Sequence, residues 1–163
     1  MEYRTFGKTD LYVSALGMGC ASFGSRVGKV QARKVLEASF DAGVNFYDTA
    51  PLYGEGDSEV ILGRTFASRR DRVVISTKVG WLPNRLLRLA KPFKGTVRSL
   101  LNAFPSVYLQ RQAQKFIRSN NTLNLSERAI IASVESSLDR LHTDYIDLLL
   151  IHCTPDPGQI PEV

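Results

Sequence analysis

Four residues with chemically reactive side chains occur at or just after the ends of apolar runs: Asp48, Tyr53, Lys78 and His152. Asp48, Lys78 and His152 each stand at or near the end of a run that is typical of a buried strand, and Tyr53 follows among glycines. If these strands are parallel, their carboxyl ends lie on one face of the fold, where βα barrels carry active sites. The spacing therefore predicts that the four side chains lie close together.

Together these groups could deliver a proton to a carbonyl oxygen. A phenol with a pKa of about 10 is a poor acid near neutral pH, and a neighbouring ammonium group favours the phenolate. A carboxylate beside the lysine would hold it charged, and a histidine could donate a hydrogen bond to a substrate oxygen. General acid catalysis of this kind typically contributes about 10²–10⁴-fold. The hydride for a reduction must come from a cofactor, because no side chain supplies one.

Each of these residues also has an ordinary structural interpretation. An aspartate at a strand end often closes a turn, and a tyrosine among glycines often only packs. A lysine near a strand end is often solvated, and a histidine on an apolar strand is more often a core residue than a catalyst. Only the joint arrangement favours a functional site, and spacing alone does not identify the reaction.

The elements expected to position these residues alternate between strand and helix. Turn residues between two β-prone runs predict a hairpin over residues 3–14. Apolar runs predict strands over residues 14–19, 44–48, 72–80 and 145–152, and helical spacing predicts helices over residues 29–40, 56–68 and 126–143. This order is typical of parallel βα units, in either a doubly wound sheet or a barrel.

Residues at the ends of the predicted helices agree with that assignment. Gly43 would end the first helix as a C′ glycine, Asp57 or Ser58 would cap the second, and Ser126 would cap the third. The last predicted strand, residues 145–152, is expected to be buried, as strands of parallel sheets usually are.

Four segments, taken in order, resemble the aldo-keto reductase family. "GVNFYDTAPLYGEGDSEVILG" is similar to the family signature, "ISTKVG" to its lysine strand, "DYIDLLLIHCTPD" to its histidine strand, and "YRTFGKTDLYVSALGMG" to its opening hairpin and first strand. The resemblance implies an α/β fold of the (β/α)8 TIM-barrel type, here the first four strands with an N-terminal hairpin. Residues 1–163 would form the N-terminal part of that barrel domain.

The resemblance also implies an activity, namely NAD(P)H-dependent reduction of aldehydes or ketones to alcohols. Tyr53 would be the general acid, and Lys78 would help it to release its proton. Asp48 would pair with Lys78, and His152 would orient the substrate carbonyl. The implied cofactor is NADPH, with NADH possible, and no metal is implied.

By the same resemblance, the nicotinamide would lie near the loop that follows the first strand. The cofactor-binding residues expected on this basis are Gly19, Cys20, Ala21, Ser22 and Asp48. The expected partner is a small carbonyl substrate. We expect no integral membrane segment, since no run approaches the roughly 20 apolar residues that span a bilayer. The N-terminus lacks a signal-peptide pattern and the two cysteines lack metal-ligand spacing, so a cytoplasmic protein with reduced thiols is expected.

The net charge of +5 comes from one segment, residues 81–125, which is expected to be an insertion loop. It holds eight of the 21 Lys and Arg residues and no Asp or Glu, which leaves 13 basic against 16 acidic residues elsewhere. The segment could be an active-site loop that shapes substrate choice, a basic amphipathic surface for lipid or a partner, or a disordered insertion. Nucleic-acid binding is not expected, because the basic residues belong to no known module.

The length of the chain raises a further question. A complete barrel of this type usually needs about 250 residues, whereas this chain has 163. We therefore expect a truncated or fragmentary form, with exposed sheet edges through which it could self-associate. The alternative hypothesis is a non-catalytic binding or regulatory protein on the same fold, because one fold can carry unrelated functions.

Overall fold

The computed structural model describes residues 1–82 and 122–152, and these contain a four-stranded parallel sheet. The strands, in their order across the sheet, are β3 (Met18–Gly19), β4 (Phe46–Asp48), β5 (Val74–Val79) and β8 (Leu148–Ile151). All three neighbouring pairs are parallel. The predicted βα order is confirmed, and the observed strands are shorter than the apolar runs that predicted them.

The predicted N-terminal hairpin is present. Strand β1 (Tyr3–Thr5) pairs antiparallel with β2 (Tyr12–Ser14). The hairpin is attached to the start of β4, because the amide of Ser14 donates to Asn45 Oδ1 at 2.6 Å and the Tyr3 hydroxyl donates to the Gly43 carbonyl at 2.8 Å. This attachment covers the amino-terminal end of the parallel sheet, away from the predicted site.

Three α-helices occupy the predicted positions: α1 (Lys29–Asp41), α2 (Asp57–Phe66) and α3 (Glu127–Leu141). Helix α1 ends as expected, with Gly43 at φ 92°, a conformation that favours glycine. Its apolar stripe is narrower than the sequence indicated, because Leu36 is buried while Val30 is exposed.

The expected cap of helix α2 is wrong. Gly56, at φ 90°, holds the N-cap position and Asp57 is already helical, so neither Asp57 nor Ser58 caps the helix with its side chain. The chain enters α2 from a 3₁₀ turn, Tyr53–Gly56, which shifts the helix start. Ser126 does hold the N-cap position of α3, although its side chain makes no capping hydrogen bond.

The hydrophobic core lies between the parallel sheet and the helices. Tyr47 of β4, Ile75 of β5 and Leu62 of α2 have no exposed surface. The rings of Tyr47 and Phe66 pack with centroids 4.7 Å apart, and the buried Tyr47 hydroxyl donates to the Val44 carbonyl at 2.9 Å. A buried hydroxyl is costly unless it is hydrogen-bonded, and this one is.

The last strand differs from expectation, because β8 is not buried. Its side chains at Leu149, Leu150 and Ile151 are 43%, 40% and 39% exposed. Within the described residues β8 pairs only with β5 and ends the sheet, so nothing described covers its outer side. The prediction of a buried strand is therefore wrong for residues 148–151.

The two ends of the predicted insertion meet in space. Strand β6 (Trp81–Leu82) pairs antiparallel with β7 (Thr122–Leu123), directly after β5. The amide of Asn124 also donates to the Gly80 carbonyl at 2.7 Å. The segment thus leaves the sheet and returns at the carboxyl end of β5. The basic residues to which the three interpretations apply lie within residues 83–121, outside the described part of the chain.

Among residues 1–82 and 122–152, no helix is both long enough and apolar enough to cross a membrane.

Candidate active site

Three of the four predicted site residues lie at the carboxyl ends of neighbouring strands. Asp48 is the last residue of β4, Lys78 is the next-to-last of β5, and His152 directly follows β8. The His152 amide donates to the Val79 carbonyl at 2.9 Å, which continues the pairing of β5 with β8 past the end of the strand. The sheet therefore fixes the backbones of all three residues at one edge.

Lys78 is the centre of the site. Its Nζ donates to both carboxylate oxygens of Asp48 at 2.7 Å and to the Thr49 carbonyl at 2.8 Å. An ammonium group has three N–H donors, so three acceptors can hold it in place. The Lys78 side chain is only 12% exposed, whereas that of Asp48 is 37% exposed. The ion pair is therefore ordered and still open to solvent on the carboxylate side.

Tyr53 reaches this centre from the 3₁₀ turn that follows β4. Its ring centroid lies 4.9 Å from Lys78 Nζ, within the range of a cation–π contact. Its ring also meets that of His152 edge to face, with centroids 5.7 Å apart and planes at 84°. Residues Gly54 and Gly56 of the turn have positive φ angles, which lets the chain reverse directly after Tyr53. A continuous set of contacts thus joins the four predicted residues.

His152 is half-buried beside two charges. Burial is the main cause that lowers the pKa of His152 below its ordinary value of 6.5, and the Lys78 ammonium lowers it further, while Asp48 opposes the shift. The imidazole is consequently neutral at neutral pH. A neutral imidazole still carries one N–H donor, which can hydrogen-bond a substrate oxygen.

The predicted cofactor loop lies directly beside this site. Gly19 pairs with Asp48 in the sheet, and the Cys20 amide donates to the Asp48 carbonyl at 2.8 Å. Ala21 is exposed, and the Ser22 carbonyl accepts the amide of Val27 at 3.0 Å in a tight turn. A side chain at Gly19 would meet no atom within 4 Å, so open space lies next to this residue.

Cys20 differs from the rest of that loop. Its side chain is fully buried in the core. Burial raises the pKa of the Cys20 thiol to about 12, with a smaller contribution from the Asp48 carboxylate. The thiol therefore stays protonated and packs as a small apolar group. The residue as a whole has no exposed surface, and its amide and carbonyl already bond Asp48 and Ser58.

Sequence reasoning missed three polar residues that surround the site. Thr49 supplies the carbonyl that binds Lys78, and its hydroxyl lies 2.9 Å from that of Ser58. Glu59 has no exposed surface and accepts hydrogen bonds from Thr77 Oγ1 at 2.7 Å and Arg140 Nε at 2.6 Å. Ser58 and Glu59 stand at a helix start, where polar residues usually indicate capping, and this ordinary signal hid their tertiary contacts.

Within residues 1–82 and 122–152, no group of three or more His, Cys, Asp or Glu side chains is arranged to hold a metal ion.

The chain is similar to known protein sequences. The sequence profile of the Aldo/keto reductase family matches residues 15–163. The chain is 34% identical over 154 residues to pyridoxal 4-dehydrogenase of Microbacterium luteolum, an alignment that covers 93% of this chain and 43% of that protein. The chain therefore spans less than half the length of this relative.

Comparison with solved structures gives a similar result for the fold. The holo form of an aldo-keto reductase from Bacillus halodurans matches with a TM-score of 0.68 and 29% identity, over 97% of this chain and 43% of that one. An aldo-keto reductase from Klebsiella pneumoniae, solved in complex with NADPH, matches with a TM-score of 0.57 and 25% identity, over 89% of this chain and 37% of that one. The expectation of the first part of a (β/α)8 barrel is confirmed.

Proposed function

The chain belongs to the aldo/keto reductase family, and from this premise we propose that it supplies the proton-delivery site of a nicotinamide-dependent reductase of aldehydes or ketones. The chain spans about two fifths of the length of the relatives that it matches. The proposal therefore concerns a barrel to which these residues contribute the N-terminal part. The proposed substrate is a small carbonyl compound, and the proposed compartment is the cytoplasm.

One observation carries the proposal: Lys78 Nζ lies between a carboxylate and a phenol ring. It is 2.7 Å from both oxygens of Asp48 and 4.9 Å from the centroid of Tyr53. An ammonium held by three acceptors next to a tyrosine is a fixed positive charge, which favours ionisation of that phenol when it gives up a proton.

The proposed role of Tyr53 is to donate its proton to the carbonyl oxygen of the substrate. Lys78 would stabilise the phenolate that remains, and Asp48 would keep Lys78 charged and in place. His152, which is neutral at neutral pH because its pKa is lowered, would donate one N–H to the same oxygen. The resemblance to the family implies these roles, and the contacts among the four side chains support them.

The residues beside the site fit one end of a nicotinamide cofactor. Asp48 presents a partly exposed carboxylate, and open space lies next to Gly19, where a planar ring could approach the backbone. The exposed Ala21 continues this surface. When bound, the cofactor would supply the hydride, which no side chain can provide. NADPH is the proposed cofactor, since a structural neighbour was solved with it, and NADH is the alternative.

The experiment is a turnover assay of the complete barrel that contains these residues, with NADPH and a generic aldehyde, comparing Tyr53→Phe with Tyr12→Phe. Tyr12 is an exposed tyrosine of the hairpin, so its variant controls for loss of a hydroxyl elsewhere. We expect Tyr53→Phe to lower kcat by about 10²–10⁴-fold, the usual contribution of a general acid, and Tyr12→Phe to retain full activity.

Two results would count against the assignment. Equal turnover by wild type and Tyr53→Phe would refute the role of Tyr53. Binding of NADPH, followed by fluorescence, without any turnover would instead favour a non-catalytic binding protein on the same fold.

A further inference from the structure

Two hydroxyl groups outside the four-residue site form a buried chain beside it. Thr49 Oγ1 lies 2.9 Å from Ser58 Oγ, and Ser58 Oγ donates to the Cys20 carbonyl at 3.0 Å. Neither Thr49 nor Ser58 has any exposed surface. A hydroxyl has one proton to donate, and that of Ser58 goes to Cys20. The Thr49 hydroxyl is therefore the donor to Ser58, and the chain runs in one direction.

Thr49 holds the ion pair through its backbone while its hydroxyl holds helix α2. Its carbonyl accepts Lys78 Nζ at 2.8 Å, and its amide donates to the Ser76 carbonyl at 2.8 Å. Three different groups of Thr49 thus bind β5, the lysine and α2. A shift of this residue would move the Lys78 ammonium.

The hydroxyl chain ends on the loop predicted to contact the cofactor. Ser58 fixes the carbonyl of Cys20, while the amide of Cys20 donates to the Asp48 carbonyl at 2.8 Å. A peptide bond joins Asp48 to Thr49. Together with the hydrogen bonds, it closes a ring of four residues: Cys20, Asp48, Thr49 and Ser58. The ring links the ends of β3 and β4 through the first turn of α2.

We propose that Thr49 and Ser58 are positioning residues that hold the loop Gly19–Ser22 in register with the Lys78–Asp48 pair. The inference rests on the proposed function, since the loop and the pair are the two sides of the proposed reductase site. Neither hydroxyl is accessible to a substrate, so their effect would pass through the Cys20 backbone and through Lys78.

The test compares Thr49→Val, which removes the hydroxyl at nearly constant volume, with Thr49→Ser, which keeps it. Ser58→Ala and the double variant Thr49→Val/Ser58→Ala complete the set. For the first readout, NMR titration follows His152. The second readout is kcat/KM for NADPH.

Burial is the main cause that lowers the pKa of His152, and the Lys78 ammonium lowers it further. We expect Thr49→Val to raise this pKa, because the ammonium is less well held in the variant. kcat/KM for NADPH should fall by about 10- to 100-fold, because small misplacements of catalytic groups lower the rate by factors of this size. Thr49→Ser should restore both values. The double variant should be no worse than the more damaging single one, because the two hydroxyls act as a unit.

A purely structural role would give a different outcome, namely a lower Tm in Thr49→Val with the His152 titration and kcat/KM unchanged, and that result would overturn the inference. The two proposals fail separately. If the complete barrel that contains these residues neither binds nor oxidises NADPH, the proposed function is wrong, whereas the His152 titration still decides whether Thr49 positions Lys78.

Discussion

Lys78 Nζ lies 2.7 Å from each carboxylate oxygen of Asp48, across the ends of two adjacent parallel strands. The two residues are 30 positions apart in the sequence. The pairing of β4 with β5 sets this distance, and the Thr49 carbonyl completes the binding of the ammonium. The proposed chemistry depends on this fixed charge, so the first prediction removes it.

Replacing Lys78 with methionine should abolish the fixed charge while keeping the length of the side chain. We expect kcat for aldehyde reduction to fall by about 10²–10⁴-fold, because the phenolate of Tyr53 loses its stabilising charge. Lys29→Met is the matched control, since Lys29 is an exposed lysine that also pairs with an aspartate, Asp57, at 3.5 Å. Equal activity of Lys78→Met and Lys29→Met would contradict the prediction.

Stability should depend on pH through His152. Its pKa in the folded protein lies below the ordinary 6.5, so between these two values the unfolded chain binds more protons than the folded one. The free energy of unfolding should therefore rise with pH through this window and level off above pH 6.5. Chemical denaturation at a series of pH values measures this slope.

The matched variants for that experiment are His152→Asn and His142→Asn. His142 is exposed and adopts a positive φ of 53°, which asparagine tolerates well. The slope between the two pKa values should weaken in His152→Asn and persist in His142→Asn. If both variants keep the wild-type slope, another group causes it.

Glu59 should matter more for stability than an exposed glutamate in a similar ion pair. It is fully buried and accepts hydrogen bonds from both Arg140 and Thr77. Glu59→Gln leaves the guanidinium of Arg140, itself only 17% exposed, without its counter-charge. Breaking a buried pair in this way costs about 3–5 kcal/mol.

The control for Glu59 is the same substitution in an exposed pair on helix α1. Glu37 pairs with Arg33 at 2.8 Å, one helical turn away and largely in solvent. Glu37→Gln should cost only about 0.3–0.5 kcal/mol. Urea denaturation of both variants measures the difference, and similar losses would mean that the Glu59–Arg140 pair adds little.

Gly63 should tolerate no side chain, because helices α2 and α3 approach each other there. A Cβ at Gly63 would overlap the backbone of Leu141. We expect Gly63→Ala to destabilise the protein by about 1–3 kcal/mol, since backbone cannot move aside as a flexible side chain can. At Gly28, a Cβ would meet nothing within 4 Å, so Gly28→Ala should cost less. Thermal unfolding that gives equal losses would disprove the close approach.

Much of the fold was predictable because its signals are local. Among the described residues, the spacing of apolar residues predicted the three helices to within a few residues, and turn residues predicted the hairpin. Helix caps and strand burial were less predictable. The cap of α2 depends on the preceding 3₁₀ turn. The exposure of Leu149 depends on β8 being the edge strand among residues 1–82 and 122–152, which no local pattern reports.

The sequence by itself determined which residues stand at the carboxyl ends of the strands, because a strand's ends are marked by where its apolar run stops. Asp48, Lys78 and His152 were found in this way. Only the tertiary structure decided which atoms meet. Lys78 binds Thr49 as well as Asp48, and Glu59 meets Arg140 from 81 positions away. Such contacts depend on strand order and helix packing, which bring together residues whose local patterns carry no information about each other.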